Sequence, residues 1–596
     1  MMKLNRPLCT FSLLAFMVLA TSRGYSCRTQ ATLLVLASST GPLAAQGTPD
    51  PWWKHAVIYE IYPRSFQDST GDGIGDLRGI TQRLDYLQSL GVDAIWLSPI
   101  YPSPQVDFGY DISDYENVDP QYGTLADFDE LVAEAKKRNI RVIMDMVLNH
   151  TSDKHPWFIA SRSSKTDPKR NWYVWRDGKG PGQPPNNWQS DFGHSAWEYD
   201  QKTSQFYYHK FYIQQPDLNW TNPQVRKAMY DVVRFWINRG VSGFRLDAIT
   251  TLFEDPQWRD DAEVKDANGK TTINNYGDIA LDDAMTNNLP EVHDVLRELR
   301  QVVSSYKGRD VVLIGETYLK SINDLAKMYG AKDDELQLPM DMQVGFINKL
   351  DVSLFRQRIN EVQNDVNGNE PMIVFDNHDN PRWDRYGDGA HNQDIGRVIA
   401  TILFATRGTA LFYYGDEIGM VTTPPTRKED VKDPVGITGW PKDKGRDGDR
   451  TPMQWDDGPN AGFTGPNVKP WLPIPPSYKT VNVKNEVMDF DSMLNWYKQL
   501  IELRRSTPAL RDGSNVMLNT SDNNVLSWLR QVPGQPAVVI ACNFTAQPQK
   551  ISIDLSAHGI MGRQAKTLMK TPGSSDPSSL DNVQLPPFGV YMGEVQ

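Results

Sequence analysis

Eight short apolar runs separated by amphipathic stretches constrain the fold of this 596-residue chain more than any other feature. Each run has the length and content of a buried strand, and helical periodicity follows most of them. Strands that alternate with helices form parallel sheets, and eight such units favour a closed (β/α)8 barrel, the TIM barrel, over an open sheet. The predicted strands are 56–62, 92–98, 140–148, 241–247, 310–316, 336–344, 372–378 and 410–416.

Local sequence signals indicate where several helices lie. Thr124 followed three residues later by Asp127 resembles a capping box, which predicts a helix start at that point. Pro290 suits the first position of a helix that continues to residue 304. Another helix is predicted from apolar residues at helical spacing, which are Leu77, Ile80, Leu84, Leu87 and Leu90.

Two stretches depart from the alternation and predict additional domains. Residues 151–214 are rich in Trp, Pro, Gly and Asn and indicate an irregular inserted domain after the third strand. The helix-poor tail contains strand candidates at 525–532, 537–544 and 549–555, which predict a C-terminal antiparallel β-sandwich. The predicted organisation is a leader at 1–46, a barrel in two parts at 47–150 and 215–511, the insert at 151–214 and the sandwich at 512–596.

The first 46 residues resemble a secretion signal. Lys3 and Arg6 precede an apolar run at 8–20, and a second run at 31–37 leads to small residues ending at Ala45. Each run is too short for a confident membrane span, and a disordered leader is the alternative. Cleavage near Ala45 would leave Cys542 as the single cysteine, so the mature chain would have no internal disulfide. We expect a secreted or periplasmic protein with no membrane segment after signal removal.

Charge and aromatic content narrow the class of partner. The net charge of −12 argues against nucleic acid and anionic membranes and fits a neutral small molecule. The 17 Trp and 24 Tyr supply flat apolar faces that suit sugar stacking as well as large cores. The sequence leaves the oligomeric state open.

Polar residues recur at the predicted carboxyl ends of four strands, where a barrel carries its active site. Arg245 and Asp247 are two residues apart on one strand and therefore share a face. A guanidinium beside a carboxylate favours its ionised form, so we expect a lowered pKa for Asp247. An isolated pair of this kind is usually structural, but four such ends on one rim are hard to explain by stability alone. The other three are the segments 145–150, 315–317 and 376–379.

These strand ends, together with the segments 215–219, 73–76 and 415–419, resemble the motifs of the α-amylase superfamily of glycoside hydrolases (family thirteen). Among its members, the exo-acting α-glucosidases and oligo-1,6-glucosidases are most similar, from about Trp52 onward. The resemblance implies a retaining enzyme in which Asp247 is the nucleophile, Glu316 the general acid/base and Asp379 a third carboxylate that binds ring hydroxyls. Such an enzyme needs two carboxyls in opposite protonation states. Glu316 has no Arg beside it in sequence, so we expect a raised pKa.

The same resemblance implies a pocket for one terminal glucose. His150 and His378 would bind its hydroxyls, and Tyr110 would lie under its ring. Asp107 would bind the terminal hydroxyls and pair with Arg450, which lies in the family-like segment 449–455. This pair would close the pocket and restrict the enzyme to the non-reducing end of its substrate.

Ala248, directly after the expected nucleophile, bears on linkage. Within this branch an Ala or Thr at this position accompanies α-1,4 cleavage and a Val accompanies α-1,6 cleavage, so maltose-type substrates are expected, with sucrose as a second candidate. The alternatives are an oligo-1,6-glucosidase, or a transglucosidase or sucrose isomerase with the same covalent intermediate. The Arg-rich loop of sucrose isomerases has no clear match around 354–360, and Gln215-Pro216 departs from the Met-Pro of trehalose synthases. A catalytically inactive binding protein is a further rival, opposed by the intact carboxylates.

A loop early in the barrel presents oxygen atoms at alternate positions around glycines, which can bind a hard cation. Gly79 stands where an EF-hand needs Glu, and the loop resembles instead the single cation site of the oligoglucosidase branch. We expect structural Ca²⁺, with Mg²⁺ as an alternative, although Thr70 departs from the Asn often found there; a metal-free turn is the other interpretation. No organic cofactor is implied. The expected ligands are Asp68, Thr70, Asp72, Ile74 and Asp76.

Overall fold

The computed structural model of the protein describes residues 50–180 and 182–595. The predicted leader at 1–46 lies outside the described residues. The described residues from Pro51 onward form one compact unit. The predicted boundaries between barrel, insert and sandwich stay predictions.

Eight parallel strands form the barrel, as the alternation of the sequence predicts. In chain order, the strands up to the end of the barrel are β1 (Val57–Ile61), β2 (Ala94–Leu97), β3 (Arg141–Val147), β4 (Trp175–Arg176), β5 (Trp197–Asp200), β6 (Gln205–Tyr208), β7 (Gly243–Asp247), β8 (Val312–Gly315), β9 (Leu338–Asp341), β10 (Met372–Ile373) and β11 (Ala410–Tyr413). The barrel sheet has the order β10-β9-β8-β7-β3-β2-β1-β11. Its two end strands meet where the Thr409 amide donates to the Pro371 carbonyl at 2.9 Å. The TIM-barrel prediction is confirmed.

The barrel strands are mostly apolar because both of their faces are buried. On β1, Ile58 points into the barrel interior, where it packs with Trp96, Ile143 and Leu338. Its neighbour Val57 faces the surrounding helices. Each observed strand is shorter than its predicted run, because residues at one or both ends of the run lie outside the ladder.

The helices surround this sheet and continue to its C-terminal side. They are α1 (Pro63–Phe66), α2 (Leu77–Gln82), α3 (Leu84–Leu90), α4 (Leu125–Lys137), α5 (Pro156–Ser161), α6 (Pro223–Asn238), α7 (Val292–Ser304), α8 (Ile322–Lys327), α9 (Val352–Asp365), α10 (Asn392–Ala405), α11 (Pro434–Gly439), α12 (Val483–Glu486), α13 (Met493–Ser506) and α14 (Pro508–Asp512). No helix in the described ranges is both long and apolar enough for a membrane crossing.

Two helix predictions need correction and one is confirmed. The apolar face from Leu77 to Leu90 belongs to two short helices that are separated at Arg83, not to one. The helix expected from Pro290 begins at Val292, because the His293 amide bonds three residues back, to Pro290, as in a tighter turn. The capping box before α4 is present in both directions.

The insert and a long barrel loop are joined above the rim. Strands β4, β6 and β5 form a small antiparallel sheet. Beside it, the Trp188 indole N–H donates to the Arg259 carbonyl at 2.8 Å, and the side-chain amide of Gln189 donates to the Ile279 carbonyl at 2.8 Å. These bonds attach the loop that follows β7 to the insert, so the two segments form one wall.

Two antiparallel sheets follow the barrel, as expected for the C-terminal sandwich. Their strands are β12 (Ser514–Leu518), β13 (Val525–Gln531), β14 (Ala537–Asn543), β15 (Gln549–Ile551), β16 (Lys566–Lys570), β17 (Val583–Leu585) and β18 (Val590–Val595). The five-stranded sheet has the order β12-β13-β14-β18-β16, and β15 pairs with β17. Leu529 packs in a core with Ile551 and Leu585 of the small sheet. Its neighbour Trp528 faces the opposite way and joins the main core.

Two buried arginines connect the end of α10 to the elements around it. The Arg504 guanidinium donates to the carbonyls of Phe404 and Thr406 at 3.2 Å and also to that of Gly408. Arg530 on β13 donates to the Ala405 carbonyl at 2.7 Å. Cationic donors at a helix C-terminus satisfy carbonyls that have no partner within the helix.

We expect Arg504→Met to lower the melting temperature by several degrees. The substitution leaves up to three buried carbonyls without their donor, and each such loss costs about 1–3 kcal/mol. Arg505→Met is the matched control, because this neighbouring side chain is 40% exposed and its ion pair with Asp93 is worth about 1 kcal/mol or less. Equal melting temperatures for the two variants, measured by calorimetry, would contradict this role for Arg504.

Candidate active site

Three carboxylates converge on one guanidinium at the carboxyl ends of β3, β7 and β8. Arg245 on β7 is fully buried. Its Nη1 atom donates to Asp145 Oδ1 at 3.0 Å and to Asp247 Oδ1 at 2.5 Å, and its Nη2 atom donates to Glu316 Oε1. Asp145 pairs with Arg245 in the register between β3 and β7, so the parallel sheet itself sets this contact.

Burial shifts the two expected reacting carboxyls in the same direction. It raises the pKa of Asp247 to about 7, against the opposing charge of Arg245. It also raises the pKa of Glu316 to about 7, again opposed by Arg245. The expectation of a lowered pKa for Asp247 is therefore wrong, because it considered the guanidinium but not the loss of water around the site. The raised pKa of Glu316 is confirmed, although Arg245 is beside it in space.

Asp379 lies in a different electrostatic environment. Its Oδ1 atom accepts from Arg446 at 2.9 Å and from Arg450 at 2.7 Å, and its Oδ2 atom lies 3.1 Å from His378 Nε2. Burial would raise the pKa of Asp379, but the charges of His378 and Arg446 hold it well below its usual value. This carboxylate is therefore ionised throughout the neutral range.

The arginine that pairs with Asp107 is Arg446, and the predicted pair with Arg450 is wrong. Arg446 Nη2 donates to Asp107 Oδ1 at 2.8 Å, and Arg446 Nε donates to the buried Asp433 at 2.9 Å. Arg450 instead donates to Asp379 and to the His378 carbonyl. Both arginines belong to the same loop, and only its path decides which one reaches Asp107.

The two histidines expected to bind hydroxyls occupy different places. His150 lines the cavity, with Nε2 at 3.1 Å from the Gln215 side chain, and burial lowers its pKa to about 3. His378 is fully buried and does not line the cavity. Its ring stacks between Tyr62 and Tyr110, with centroids at 5.8 Å and 5.4 Å. His150 is thus a neutral group at the wall, and His378 lies behind it.

The cavity above these groups has a volume of about 350 Å³. Six of the nine residues expected in catalysis or substrate binding line it, whereas Arg245, His378 and Arg450 lie behind the wall. Several further wall residues were not predicted from the sequence. They come from the insert, from the loop after β7, from the end of β8 and from the loop that contains Arg446, and the aromatic content of the insert was a signal only for its two phenylalanines. These wall residues include Phe192, Phe211, Asp283, Asn287, Tyr318 and Arg446.

Ala248 adopts a conformation that non-glycine residues rarely use. Its φ of 42° lies in the left-handed region. Its amide donates to Glu316 Oε2 at 2.8 Å, and its side chain lines the cavity. Backbone strain of this kind collects at functional sites, and here it directs an N–H group at the expected acid/base.

The loop expected to bind a cation uses its carboxylates on its own backbone. Asp68 accepts from the amides of Thr70 and Gly73 at 2.9 Å and 2.8 Å, and Asp76 caps α2 through the Gly79 amide at 2.7 Å. Asp72 accepts from the Ile74 amide at 2.9 Å. Within the described ranges, no three His, Cys, Asp or Glu side chains are placed to share a metal ion. The loop's oxygen atoms suit a hard cation in chemistry, but their present partners are backbone N–H groups and the hydroxyls of Ser69 and Thr464.

We expect Arg245→Met to destabilise the protein more at pH 8 than at pH 5. Without the guanidinium, the pKa values of its three carboxyl partners rise further above their unfolded values. A carboxyl whose pKa is raised in the folded protein destabilises the fold increasingly as the pH rises through that pKa. The free energy of unfolding of the variant should therefore fall most at pH 8. Arg259→Met, which removes one ion pair of a 58% exposed side chain, is the control. Melting temperatures at both pH values provide the test, and an equal deficit would refute it.

Comparison with known proteins places the chain in a family. The model of the alpha-amylase catalytic domain matches residues 60–513. An oligo-1,6-glucosidase of Parageobacillus thermoglucosidasius is 38% identical, with 91% of this chain and 99% of the relative covered. A probable alpha-glucosidase of Rhizobium meliloti (strain 1021) is 40% identical, with 87% and 95% covered. A crystal structure of an isomaltulose synthase mutant from Erwinia rhapontici NX5, in complex with its natural substrate sucrose, superposes with a TM-score of 0.83 at 35% identity, with 92% and 100% covered. The chain therefore belongs to the alpha-amylase family of glycoside hydrolases.

Proposed function

We propose that the protein is a retaining α-glucosidase that releases glucose from the non-reducing end of short α-1,4-linked gluco-oligosaccharides such as maltose. One observation carries the proposal. Asp247 and Glu316 contact the two terminal nitrogens of a single buried guanidinium at the cavity floor. Two carboxyls held this close leave little room for a water molecule between them, which favours the double displacement of retaining enzymes over inversion.

The pKa values fit this division of roles. With both carboxyls near 7, one proton shared between them gives one acid and one carboxylate at neutral pH. Asp247 Oδ2 attacks the anomeric carbon while Glu316 gives its proton to the glycosidic oxygen, and a covalent glucosyl ester forms as the leaving sugar departs. Glu316 then takes a proton from water, whose oxygen attacks the anomeric carbon and releases Asp247.

A bridge of charged groups supports the exo mode. Arg446 connects Asp107 to Asp379 across one side of the cavity, with contacts of 2.8 Å and 2.9 Å. Carboxyl groups in a partly dry pocket are strong acceptors for sugar hydroxyls. A terminal glucose would place its hydroxyls on this bridge, and a chain continuing beyond it would collide with the bridge.

The proposed preference for α-1,4 linkages has the strongest alternative. Ala248 offers a single methyl group to the cavity, as expected for α-1,4 substrates, and such small differences shift selectivity by about 1–3 kcal/mol. The relatives are named as both oligo-1,6-glucosidases and α-glucosidases, and the isomaltulose synthase has the same fold. The alternative function is therefore α-1,6 cleavage, or transfer of glucose from the same intermediate to a sugar.

Product analysis on maltose, isomaltose, sucrose and trehalose, at low and high concentration, tests the proposal. We expect glucose from maltose with net retention, because the two successive inversions at the anomeric carbon cancel, so that the first product is the α-anomer by NMR. Asp247→Asn should lower kcat by at least about 10³-fold, because the amide cannot act as a nucleophile. Asp489→Asn, the same change at an exposed position outside the cavity, is the control.

The product patterns distinguish the proposal from its alternatives. Faster cleavage of isomaltose than of maltose would refute the linkage inference from Ala248 while leaving the hydrolase intact. Accumulation of isomeric disaccharides from sucrose would favour the transfer alternative. If no sugar were cleaved by the wild-type protein, the α-glucosidase proposal would fail.

We also propose that the loop at 68–76 binds structural Ca²⁺, with Mg²⁺ as the alternative. The support is its set of oxygen donors, namely the side chains of Asp68, Thr70, Asp72 and Asp76 and the carbonyl of Ile74. Binding would require these carboxylates to exchange some of their N–H partners for the ion.

Chelation tests the cation proposal. Ca²⁺ added to chelator-treated protein should raise the melting temperature, because a ligand of the folded state stabilises it. Asp72→Asn should weaken that response, whereas Asp489→Asn, an exposed acid outside the loop, should keep it. An unchanged melting temperature with either ion would show that the loop is a metal-free turn.

We further propose that residues 1–46 direct export to a secreted or periplasmic location and are then removed. The support is the pattern of Lys3 and Arg6, the apolar runs and the small residues near Ala45. N-terminal sequencing of the protein from its native source tests this, and a mature chain that still begins at Met1 would refute cleavage.

A further inference from the structure

The catalytic carboxylates connect to a buried acid on β1 that lies outside the cavity wall. Glu60 is fully buried and its Oε1 atom lies 2.6 Å from His378 Nδ1. Its other oxygen has no hydrogen-bond partner among the described residues. A buried carboxyl with a single partner is costly unless that partner is charged, so the contact with His378 must account for its presence.

The direction of the bonds around Tyr110 fixes the proton on His378 Nε2. The Tyr110 hydroxyl donates its one proton to Asp145 Oδ2 at 3.0 Å. The same hydroxyl lies 2.6 Å from His378 Nε2, and it has no second proton to give. His378 Nε2 therefore carries a proton, which it offers to Tyr110 and to Asp379 Oδ2 at 3.1 Å.

With Nε2 protonated, the short contact at Nδ1 decides the charge of the ring. If the proton between Nδ1 and Glu60 resides on the imidazole, His378 is a cation held between Glu60 and Asp379. Burial would lower the pKa of His378, but the charges of Asp379 and Glu60 raise it to about 9. The other groups that face the ring are the phenols of Tyr62 and Tyr110 and the indole of Trp96.

The other charged groups near the His378 ring are Arg450, Asp145 and Arg245, and hydrogen bonds connect each of them to His378 directly or through Tyr110. Arg450 Nε donates to the His378 carbonyl at 2.8 Å. Asp145, which Tyr110 joins to the ring, binds Arg245. Glu60, His378 and Tyr110 thus connect the Asp379 side of the site to the Arg245 side, where Asp247 and Glu316 lie.

We propose that Glu60 is a positioning residue that keeps His378 doubly protonated, so that His378 holds Asp379 ionised and oriented and fixes Tyr110 as the donor to Asp145. Glu60 acts through His378 and does not touch the sugar. The proposal rests on the proposed function for its effect on catalysis, but the protonation of His378 is a property of the folded protein by itself.

Glu60→Gln tests the proposal with little change in shape. The amide can donate to Nδ1, so it accommodates a neutral ring that keeps its Nε2 proton for Tyr110 and Asp379. We expect the His378 pKa, followed by NMR of labelled histidine, to fall by at least about one unit, since one unit corresponds to 1.36 kcal/mol of differential interaction. The His378 signal is assigned by its loss in His378→Gln. Glu60→Asp, which restores the charge, should recover part of the shift.

The activity readout is the ratio of wild-type to Glu60→Gln kcat/KM on maltose between pH 6 and pH 8. We expect this ratio to grow with pH, because the variant's ring loses its charge earlier in the range. Glu417→Gln is the matched control. Glu417 is another fully buried glutamate, and it accepts a hydrogen bond from Tyr59 of β1 at 2.8 Å. In the described part of the chain it has no hydrogen bond to His378, Tyr110 or the three expected catalytic carboxylates. Its ratio should not change with pH.

A pH-independent ratio with an unchanged His378 titration would overturn the proposal and leave Glu60 a purely structural residue. If Glu60→Gln does not fold, the wild-type titration decides: a His378 ring that titrates near its ordinary value of about 6.5 refutes the doubly protonated state. If the protein cleaves no sugar, the proposed function fails, and the NMR titration still tests the role of Glu60.

Discussion

The shared guanidinium of Arg245 is the contact on which the site depends. Carboxylates from three neighbouring strands would not remain close together in a dry environment without a cation among them. The barrel makes the contact possible, because parallel strands end on one rim and the register between β3 and β7 places Asp145 beside Arg245. One buried cation thereby sets both the proximity of Asp247 and Glu316 and the balance of protons between them.

The pKa of Asp379 is lowered, although this carboxyl is buried like those of Asp247 and Glu316. It has two arginine donors and a histidine within 3.1 Å, and these outweigh the loss of water. Asp247 shares one guanidinium with two other acids, so its burial prevails. The number of cations per carboxylate therefore separates Asp379, whose pKa is lowered, from Asp247 and Glu316, whose pKa values are raised. Tyr110 joins the two halves, since its ring stacks on His378 and its hydroxyl contacts Asp145.

Much of the fold was predictable because a strand that is buried on both faces is apolar along most of its length. All eight barrel strands appear as apolar runs, and the alternation with helices implies their parallel order. The ends were less predictable. The run from 372 continues to 378 in apolar and polar residues, yet only Met372–Ile373 lies in the ladder. The polar residues that follow have partners elsewhere: the Asp376 carboxylate accepts from the Trp383 amide, and His378 contacts Glu60. Pro290 fits a helix start, but the first turn there bonds three residues back, so the α-helix begins later.

The sequence by itself determined which acids stand at the strand ends, since strand direction and residue spacing fix which side chains share the rim. The segment 449–455 that the sequence also marked contains Arg450 but not Arg446, which is the arginine that lines the cavity. The tertiary structure decided which of Arg446 and Arg450 reaches Asp107, because a loop's path depends on contacts such as Arg446 with Asp433 that no local pattern records. It also decided the direction of the Asp247 pKa shift. A neighbour in sequence is visible in the chain, but the exclusion of water by the whole rim arises only when distant segments pack together.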